Sequence, residues 1–332
     1  MFDGTGAVGA VVFGAGGREG GVAVDLAFEC GRQAKVIGTN PAHCWRGPIR
    51  SLAAGSGIPE AAWPTPVLKA FDGGNKNTMG TFTPSLWELA VNETCLHSIL
   101  KDRLPAETEA EFKIKVTKAI RELAKTLYHE ARHCQQFFWI SAMVQQQPQN
   151  FEGTPNIAKW PAVSVGDNKD ARVAIGLAAN TPIPDEPSAL IGIKRMAISE
   201  YFRTIKTWQT KKFYPSFAPS ESSLDREVAS ARTAAVDLLQ NSGIGGTSLD
   251  VDKMAAEPTA QMQDYAGRPC ENDGFFCETI AGGYWDLFSG KALRTMPADE
   301  CSPFYVLTSS GPSFLARIGA SADGGKTSAG QR

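Results

Sequence analysis

Two histidines and a glutamate form the most informative pattern in this chain. His129, Glu130 and His133 fit the arrangement His-Glu-x-x-His, in a sequence with only four histidines. In an α-helix, residues four apart lie on one face, so both imidazoles can bind the same metal ion. Glu130 lies about a quarter-turn away, where a carboxylate can hold a metal-bound water. The pattern predicts a zinc site that hydrolyses amide bonds, with Glu130 as the base that activates the water.

The residues around this pattern are predicted to form one long helix. From Glu109 to about Gln147 there is no proline and no glycine, and good helix formers dominate. Apolar residues recur at steps of three and four and define one stripe for the core: Val116, Ile120, Leu123, Leu127, Ala131, Cys134 and Phe138. His129 and His133 lie almost opposite this stripe. We therefore expect the two histidines to bind a metal rather than to pack in the core.

A catalytic zinc site needs a third protein ligand. The H-E-x-x-H-x-x-G-x-x-H extension is missing, because Gln136 and Trp139 occupy its last two positions. A carboxylate further along the chain is therefore expected. Glu227 is the first candidate, because it lies on a predicted helix whose small neighbours would allow a close approach to the metal helix. The alternatives, in order, are Glu221, Glu200 and Glu278.

A hydrolase of this kind also needs a hydrogen-bond donor for the oxyanion that forms beside the metal. Tyr214, which comes just before the candidate carboxylates, is the first choice for this role, and Tyr201 is the second. Together with Glu130, Tyr214 would form the catalytic pair. The predicted metal ligands are His129, His133 and Glu227.

Composition and charge limit the partners. The net charge of −2 shows no basic surplus that would favour nucleic acid, and no apolar run approaches the ~18 residues of a membrane span. The first residues lack the pattern of a secretory signal, so we expect a cytoplasmic protein or one exported without such a signal. The seven cysteines form no C-x-x-C pair, which excludes a typical cysteine zinc site. The sequence leaves open whether two of Cys270, Cys277 and Cys301 form a disulfide.

The chain is expected to divide into four regions. Residues 1–75 are rich in glycine and proline, and their role is not assigned. Residues 76–245 would form the metal-binding core, 246–319 an aromatic, cysteine-containing region packed on it, and 320–332 a disordered tail. Leu86–Asn92 alternates as a half-buried strand does. The expected fold class is α+β, predominantly helical, with a small sheet before the metal helix.

The residues around the histidines resemble a known family. The sequence Leu127-Tyr128 precedes His-Glu-Ala-Arg-His, and Gln136-Phe137-Phe138 follows it. This resembles the gluzincin branch of zinc metallopeptidases, in particular a subset of toxin-like or secretion-delivered bacterial enzymes. The resemblance implies a zincin-like fold in which an edge strand ahead of the metal helix, here Leu86–Asn92, borders the substrate cleft. Arg132 departs from the neutral residue of mainstream metallopeptidases.

Three functions are compatible with these patterns. The lead hypothesis is a zinc-dependent peptidase acting on a protein or peptide, with a bacterial effector or toxin as its suggested setting. Delivery machinery or an immunity protein would then be further partners. The second is a zinc-dependent amidase that acts on cell-wall peptide. The third is a non-catalytic binding protein with a structural metal site, which a closed set of four protein ligands would favour.

Overall fold

The computed structural model describes residues 57–64, 66–73, 78–95, 104–160, 167–185, 187–210, 220–241, 251–256 and 261–288. These residues form a small sheet and several helices around one long central helix. The α+β class with a predominance of helix, which the sequence predicts, is confirmed. Tyr214, the tail 320–332 and residues 1–56 lie outside the described residues.

Three short strands form a mixed sheet in the described part of the chain. β1 (Val67–Lys69), β2 (Gly80–Thr83) and β3 (Glu88–Asn92) lie in the order β1-β3-β2. β3 pairs in parallel with β1 and antiparallel to β2. The predicted strand Leu86–Asn92 is therefore β3, shortened by a turn in which Trp87 has a φ of 50°. The prediction that this strand lies at the edge of the sheet was wrong, because β3 is the middle strand and β2 lies at the edge.

The predicted long helix is present as α1 (Glu109–Gln146). A capping box starts it, because the Thr108 side chain accepts a hydrogen bond from the backbone N–H of Glu111 and the Glu111 side chain accepts one from that of Thr108. Pro148 follows its end, where a proline stops helices. A capped start and an uninterrupted run of helix formers explain why the sequence predicted this element well.

The described residues form six further α-helices around α1. They are α2 (Lys169–Ala178), α3 (Pro187–Thr210), α4 (Glu221–Asn241), α5 (Val251–Met254), α6 (Met262–Ala266) and α7 (Pro269–Phe288). Single turns of 3-10 helix occur at Glu60–Ala62, Pro148–Phe151 and Ile157–Lys159. α4 contains Glu227 and is the helix that the sequence predicts around that residue. α7 was not predicted, because its glycines and mixed aromatic residues hide the helical periodicity.

α1 is buried on more than its apolar stripe, because it lies between other elements. β2 and β3 pack on one side of it, α7 runs along another, and α2 and α3 cover more of its surface. Leu123, Ala131 and Phe138 of the stripe are buried as predicted, and so are both histidines on the other side. The histidines are therefore enclosed between the sheet and α7, a position that the amphipathic pattern alone did not indicate.

Three buried cysteines of the described residues, Cys134, Cys270 and Cys277, are free thiols. Burial raises the pKa of each thiol. Cys270 and Cys277 do not form a disulfide with each other, and Cys301 lies outside the described residues. None of the helices in the described ranges combines the length and the hydropathy that crossing a bilayer requires.

Candidate metal centre

The side chains of His129, His133 and Glu271 meet between α1 and α7. The two Nε2 atoms lie 3.0 Å apart, and Glu271 Oε2 lies 3.4 Å from each of them. Two ligand atoms that bind a tetrahedral zinc ion at 2.0–2.1 Å are about 3.3 Å apart. The triangle of ligand atoms therefore has the dimensions of one face of a tetrahedral metal site, and these three residues could hold a metal ion.

An unsatisfied atom in this triangle also fits a cation. Glu271 Oε2 is buried and has no hydrogen-bond partner among the described residues. A buried carboxylate oxygen that accepts no hydrogen bond is costly, because it has lost its water and keeps only the electrostatic attraction of the nearby imidazoles. A divalent ion between the two imidazoles and this oxygen would remove that cost. Two imidazoles and one carboxylate are a donor set that zinc accepts at catalytic sites.

Glu227, the first candidate for the third ligand, is not in this group. Its Oε1 accepts a hydrogen bond from the Tyr201 hydroxyl, and its Oε2 lies 3.5 Å from Nδ2 of Asn156. The small residues around Glu227 were taken to allow an approach to α1, but α4 packs chiefly against α3. The structure therefore places Glu271, and not the predicted Glu227, beside the two histidines.

The other sequence candidates are also placed away from the metal triangle. Glu200 pairs with Arg203, and Glu221 is exposed at the start of α4. The hydroxyl of Tyr201, the second choice for the oxyanion donor, is held by Glu227 and by the carbonyl of Pro155. Glu278 is the exception, since its carboxylate lies beside one of the imidazoles, although not at the triangle.

α7 supplies Glu271 because one of its faces is shaped for this approach. Glu271, Gly274 and Glu278 recur at steps of three and four, so they lie on the same side of the helix. A Cβ atom at Gly274 would lie 2.9 Å from Cε1 of His129, so only glycine allows the helix to come this near. The sequence signal that could have indicated Glu271 is a glycine with a glutamate on either side of it, all on one helix face.

The second nitrogen of each imidazole also faces an oxygen atom. Nδ1 of His133 lies 2.8 Å from Oε1 of Gln136. Nδ1 of His129 lies 3.5 Å from Oε2 of Glu278, whose other oxygen pairs with Nζ of Lys125 at 3.0 Å. At His133 this acceptor favours the tautomer with its proton on Nδ1, which leaves Nε2 free to bind a metal. Nδ1 of His129 has no hydrogen-bond partner among the described residues.

Neighbouring charges shift the pKa values of the site. Burial alone would lower the pKa of His129, but the carboxylates of Glu271 and Glu278 outweigh it and raise that pKa to about 10. Burial would raise the pKa of Glu271, but the two histidines hold it well below its usual value. Ligands must be deprotonated to bind a metal, so protons and metal compete for these imidazoles, and metal binding weakens as the pH falls.

The carboxylate of Glu130 faces the sheet, next to the histidines. Its Oε2 accepts a hydrogen bond of 2.7 Å from the backbone N–H of Phe82 in β2, and burial raises its pKa. A Cβ atom at Gly80 would lie 2.9 Å from Cγ2 of Thr126 and 3.2 Å from Cγ of Glu130. Glycine at this position therefore brings β2 close enough to hold the carboxylate.

A cleft of about 420 Å³ opens onto the site. Glu130, His133 and Glu271 line it together with Tyr265 of α6 and residues of β1 and β2. Burial, and then the negative charge of Glu271, raise the pKa of the Tyr265 hydroxyl, so it keeps its proton and can donate it. Tyr214 lies outside the described residues, and its predicted role stays a prediction. Tyr265 is a described tyrosine in a suitable place for an oxyanion donor.

Comparison with known proteins finds no relative: no protein-family model, no curated protein and no solved structure matches the chain. The resemblance to gluzincins therefore rests on the residues of α1 alone. Inferences about function depend on the geometry of the site itself.

A substitution at Gly274 tests the close approach of α7. Gly274→Ala is expected to lower metal affinity by about 1–3 kcal/mol, because the added methyl group must push His129 or α7 out of place. Gly176→Ala in α2 is the matched control, since its Cβ atom would meet nothing within 4 Å. Titration of both variants with zinc against a competing chelator measures the difference. Equal affinity in the two variants would contradict the close packing.

A second test concerns Glu227. The Tyr201 hydroxyl has one proton but lies against two acceptors, the Pro155 carbonyl and Glu227, so the structure favours a protonated Glu227. Burial raises its pKa accordingly. Because the folded-state pKa lies above the unfolded one, this contribution to stability is complete below the unfolded pKa and is lost as the pH rises through the folded pKa.

The measurement is urea unfolding of wild type and Glu227→Gln from about pH 4 to about pH 8. The amide stays neutral throughout, so the variant is expected to gain stability relative to wild type as the pH rises. Parallel pH dependence of the two proteins would show that the pKa of Glu227 is the same in the folded and unfolded states, which would contradict a protonated Glu227 in the fold.

Proposed function

We propose that this protein is a zinc-dependent hydrolase of peptide bonds. The observation that carries the proposal is the triangle of His129, His133 and Glu271 with Glu130 beside it, all lining or adjoining one cleft. Three protein ligands, a fourth coordination position left for water or substrate, and a nearby carboxylate base are the parts of a catalytic rather than a structural zinc site. The buried, unsatisfied oxygen of Glu271 supports a bound cation.

The residues would divide the chemistry between them. Zinc bound by the two histidines and Glu271 would supply Lewis acidity, which polarises a carbonyl and lowers the pKa of water. Glu130 would take the proton of the attacking water and then give it to the leaving amine. The N–H of Phe82 holds one carboxylate oxygen of Glu130, which leaves the other oxygen for this task. The hydroxyl of Tyr265 would donate a hydrogen bond to the oxyanion.

The sheet favours an extended peptide as substrate. The backbone N–H of Phe82 points to Glu130 and therefore away from β3. The backbone N–H of Gly80, two residues earlier on the same strand, points in the same direction. No strand of the described residues pairs with this edge of β2. A substrate strand added there would pass directly beside Glu130. This arrangement supports a zincin-like fold and a gluzincin-type site, with the third ligand on a later helix, and the setting as a bacterial effector or toxin is part of the same proposal.

The test uses the purified full chain. About one zinc ion per chain is expected by elemental mass spectrometry. Cleavage of a mixture of unstructured peptides should stop when zinc is chelated and return when zinc is restored. His133→Ala, which removes one ligand, is the control for non-specific effects of the chelator.

The outcomes separate the three functions. Cleavage of the peptide mixture supports the peptidase. Release of stem peptides from purified peptidoglycan, with no cleavage of the mixture, would move the substrate to the cell wall. A zinc-loaded wild type without activity on either substrate favours a structural metal site. Failure to bind zinc after reconstitution contradicts the proposal.

A further inference from the structure

Arg132 lies between the two histidines in sequence, but it does not line the cleft. Its side chain is fully buried and forms a paired contact with Asp273 of α7. Nε lies 2.5 Å from Oδ2 of Asp273, and Nη2 lies 2.9 Å from Oδ1. Nη1 donates to Oε1 of Gln135 at 2.6 Å. A bidentate pair of this kind fixes both distance and direction, so it ties α7 to α1 at a defined place.

Asp273 also orients Gln136. Nε2 of Gln136 donates to Oδ2 of Asp273 at 2.7 Å and to the carbonyl of Cys270 at 2.9 Å. A carboxylate paired with arginine and a backbone carbonyl are both acceptors only, so the NH₂ group of the amide must face them. The oxygen of the same amide must then face the other way, where Nδ1 of His133 lies 2.8 Å from it.

The direction of this amide determines the tautomer of His133. An oxygen at Nδ1 requires the proton to be on Nδ1, and the neutral ring then has an unprotonated Nε2. Nε2 is the atom that points to Glu271 and to Nε2 of His129. A chain of buried contacts therefore runs from Arg132 through Asp273 and Gln136 to the metal-binding atom of His133.

We infer that Asp273 is a positioning residue for the metal centre: it holds α7 where Glu271 reaches both histidines, and it sets the Gln136 amide so that His133 presents an unprotonated Nε2. The inference rests on the metal site of the proposed function. It explains why an arginine stands within this motif. The Arg132 guanidinium pairs with Asp273 inside the protein and does not face the cleft.

The main test removes the ion pair as a whole. Loss of one partner would leave a buried charge unpaired and could unfold the protein, whereas replacing both partners with apolar residues is often neutral or stabilising. Arg132→Met/Asp273→Leu is therefore compared with wild type for its thermal unfolding and its zinc affinity, measured against a competing chelator. The folded variant is expected to bind zinc about 10–100-fold more weakly, the usual effect of losing a residue that orients a ligand.

A rescue separates positioning from a general structural effect. Adding Gln136→Glu to the double variant places a carboxylate oxygen at Nδ1 of His133, which accepts its proton without help from Asp273. Carboxylate acceptors at this place also raise the basicity of a metal-bound histidine. We expect at least a tenfold recovery of zinc affinity. The control is Lys206→Met/Asp252→Leu, which removes an exposed ion pair between α3 and α5 and should leave zinc affinity unchanged.

The results distinguish this inference from the proposed function. Wild-type zinc affinity in the folded double variant would overturn the positioning role and leave the proposed hydrolase standing. Wild-type zinc affinity in Gln136→Leu, which removes the acceptor at Nδ1 of His133, would overturn the tautomer mechanism. If the double variant does not fold, Gln136→Leu, which keeps the ion pair, must show the same loss of affinity for the inference to hold. A wild type that binds no zinc would contradict the proposed function, and this inference with it.

Discussion

Glu130→Gln is expected to lower the rate of peptide hydrolysis by about 10²–10⁴-fold while zinc stays bound. The amide cannot take a proton from water, so the base is lost. It has the size of the carboxylate and can still accept the hydrogen bond from the Phe82 N–H, so the contact between α1 and β2 should remain. Glu130 is not one of the three ligands of the triangle, and metal content should therefore be unchanged.

Rates and zinc content are measured on the same preparation of the variant. Glu122→Gln is a suitable control, since Glu122 lies two helical turns earlier on α1, where its carboxylate pairs with Arg121 and Lys125. Full activity in Glu130→Gln would rule out Glu130 as the base and would require another group for this role. Loss of zinc in Glu130→Gln would show that the ligand set has been assigned wrongly.

Loss of a residue that only orients a metal ligand weakens metal binding about 10–100-fold. Glu271→Gln is expected to weaken zinc binding by more than this. The amide keeps the shape of the side chain but removes the negative charge and the strong ligand oxygen that face both histidines. Peptide hydrolysis should fall with the zinc content. Competition with a chelator gives the affinity, and elemental analysis gives the stoichiometry.

Glu227→Gln is the matched control for this change. It makes the same substitution at a second buried glutamate, which contacts Tyr201 and Asn156 instead of the histidines. Full zinc binding by Glu227→Gln and weak binding by Glu271→Gln would confirm the corrected ligand set. The opposite result would return the third ligand to Glu227 and require a different packing of α4 and α7.

The sequence predicted those parts of the site that depend on local interactions. α1, its two histidines and Glu130 follow from helix propensity, the apolar stripe and a spacing of four residues, all contained within α1. The middle strand β3 also followed from a local alternation. Its place in the sheet did not, because strand order depends on pairing with β1 and β2, which alternation does not encode.

The carboxylate that the structure places beside the histidines could not be reached by the same reasoning. Glu271 comes to the histidines through the docking of α7, which depends on Gly274 and on the pair of Arg132 with Asp273. These are contacts between residues far apart in the chain. Glu227 was chosen because small residues surround it on its helix. Small residues show only that a helix can pack closely against another element, and α4 packs chiefly against α3.

Because Glu271 and Asp273 lie on α7, they are synthesised after the other residues of the site. During translation the histidines and Glu130 leave the ribosome well before α7 does, since the chain emerges from its N-terminal end. A nascent chain that has reached only α4 contains Glu130 and both histidines, but neither Glu271 nor the residue that orients Gln136. The proposed hydrolytic centre is therefore completed only after α7 has been made and has docked on α1, and fragments that end before Glu271 are expected to be inactive.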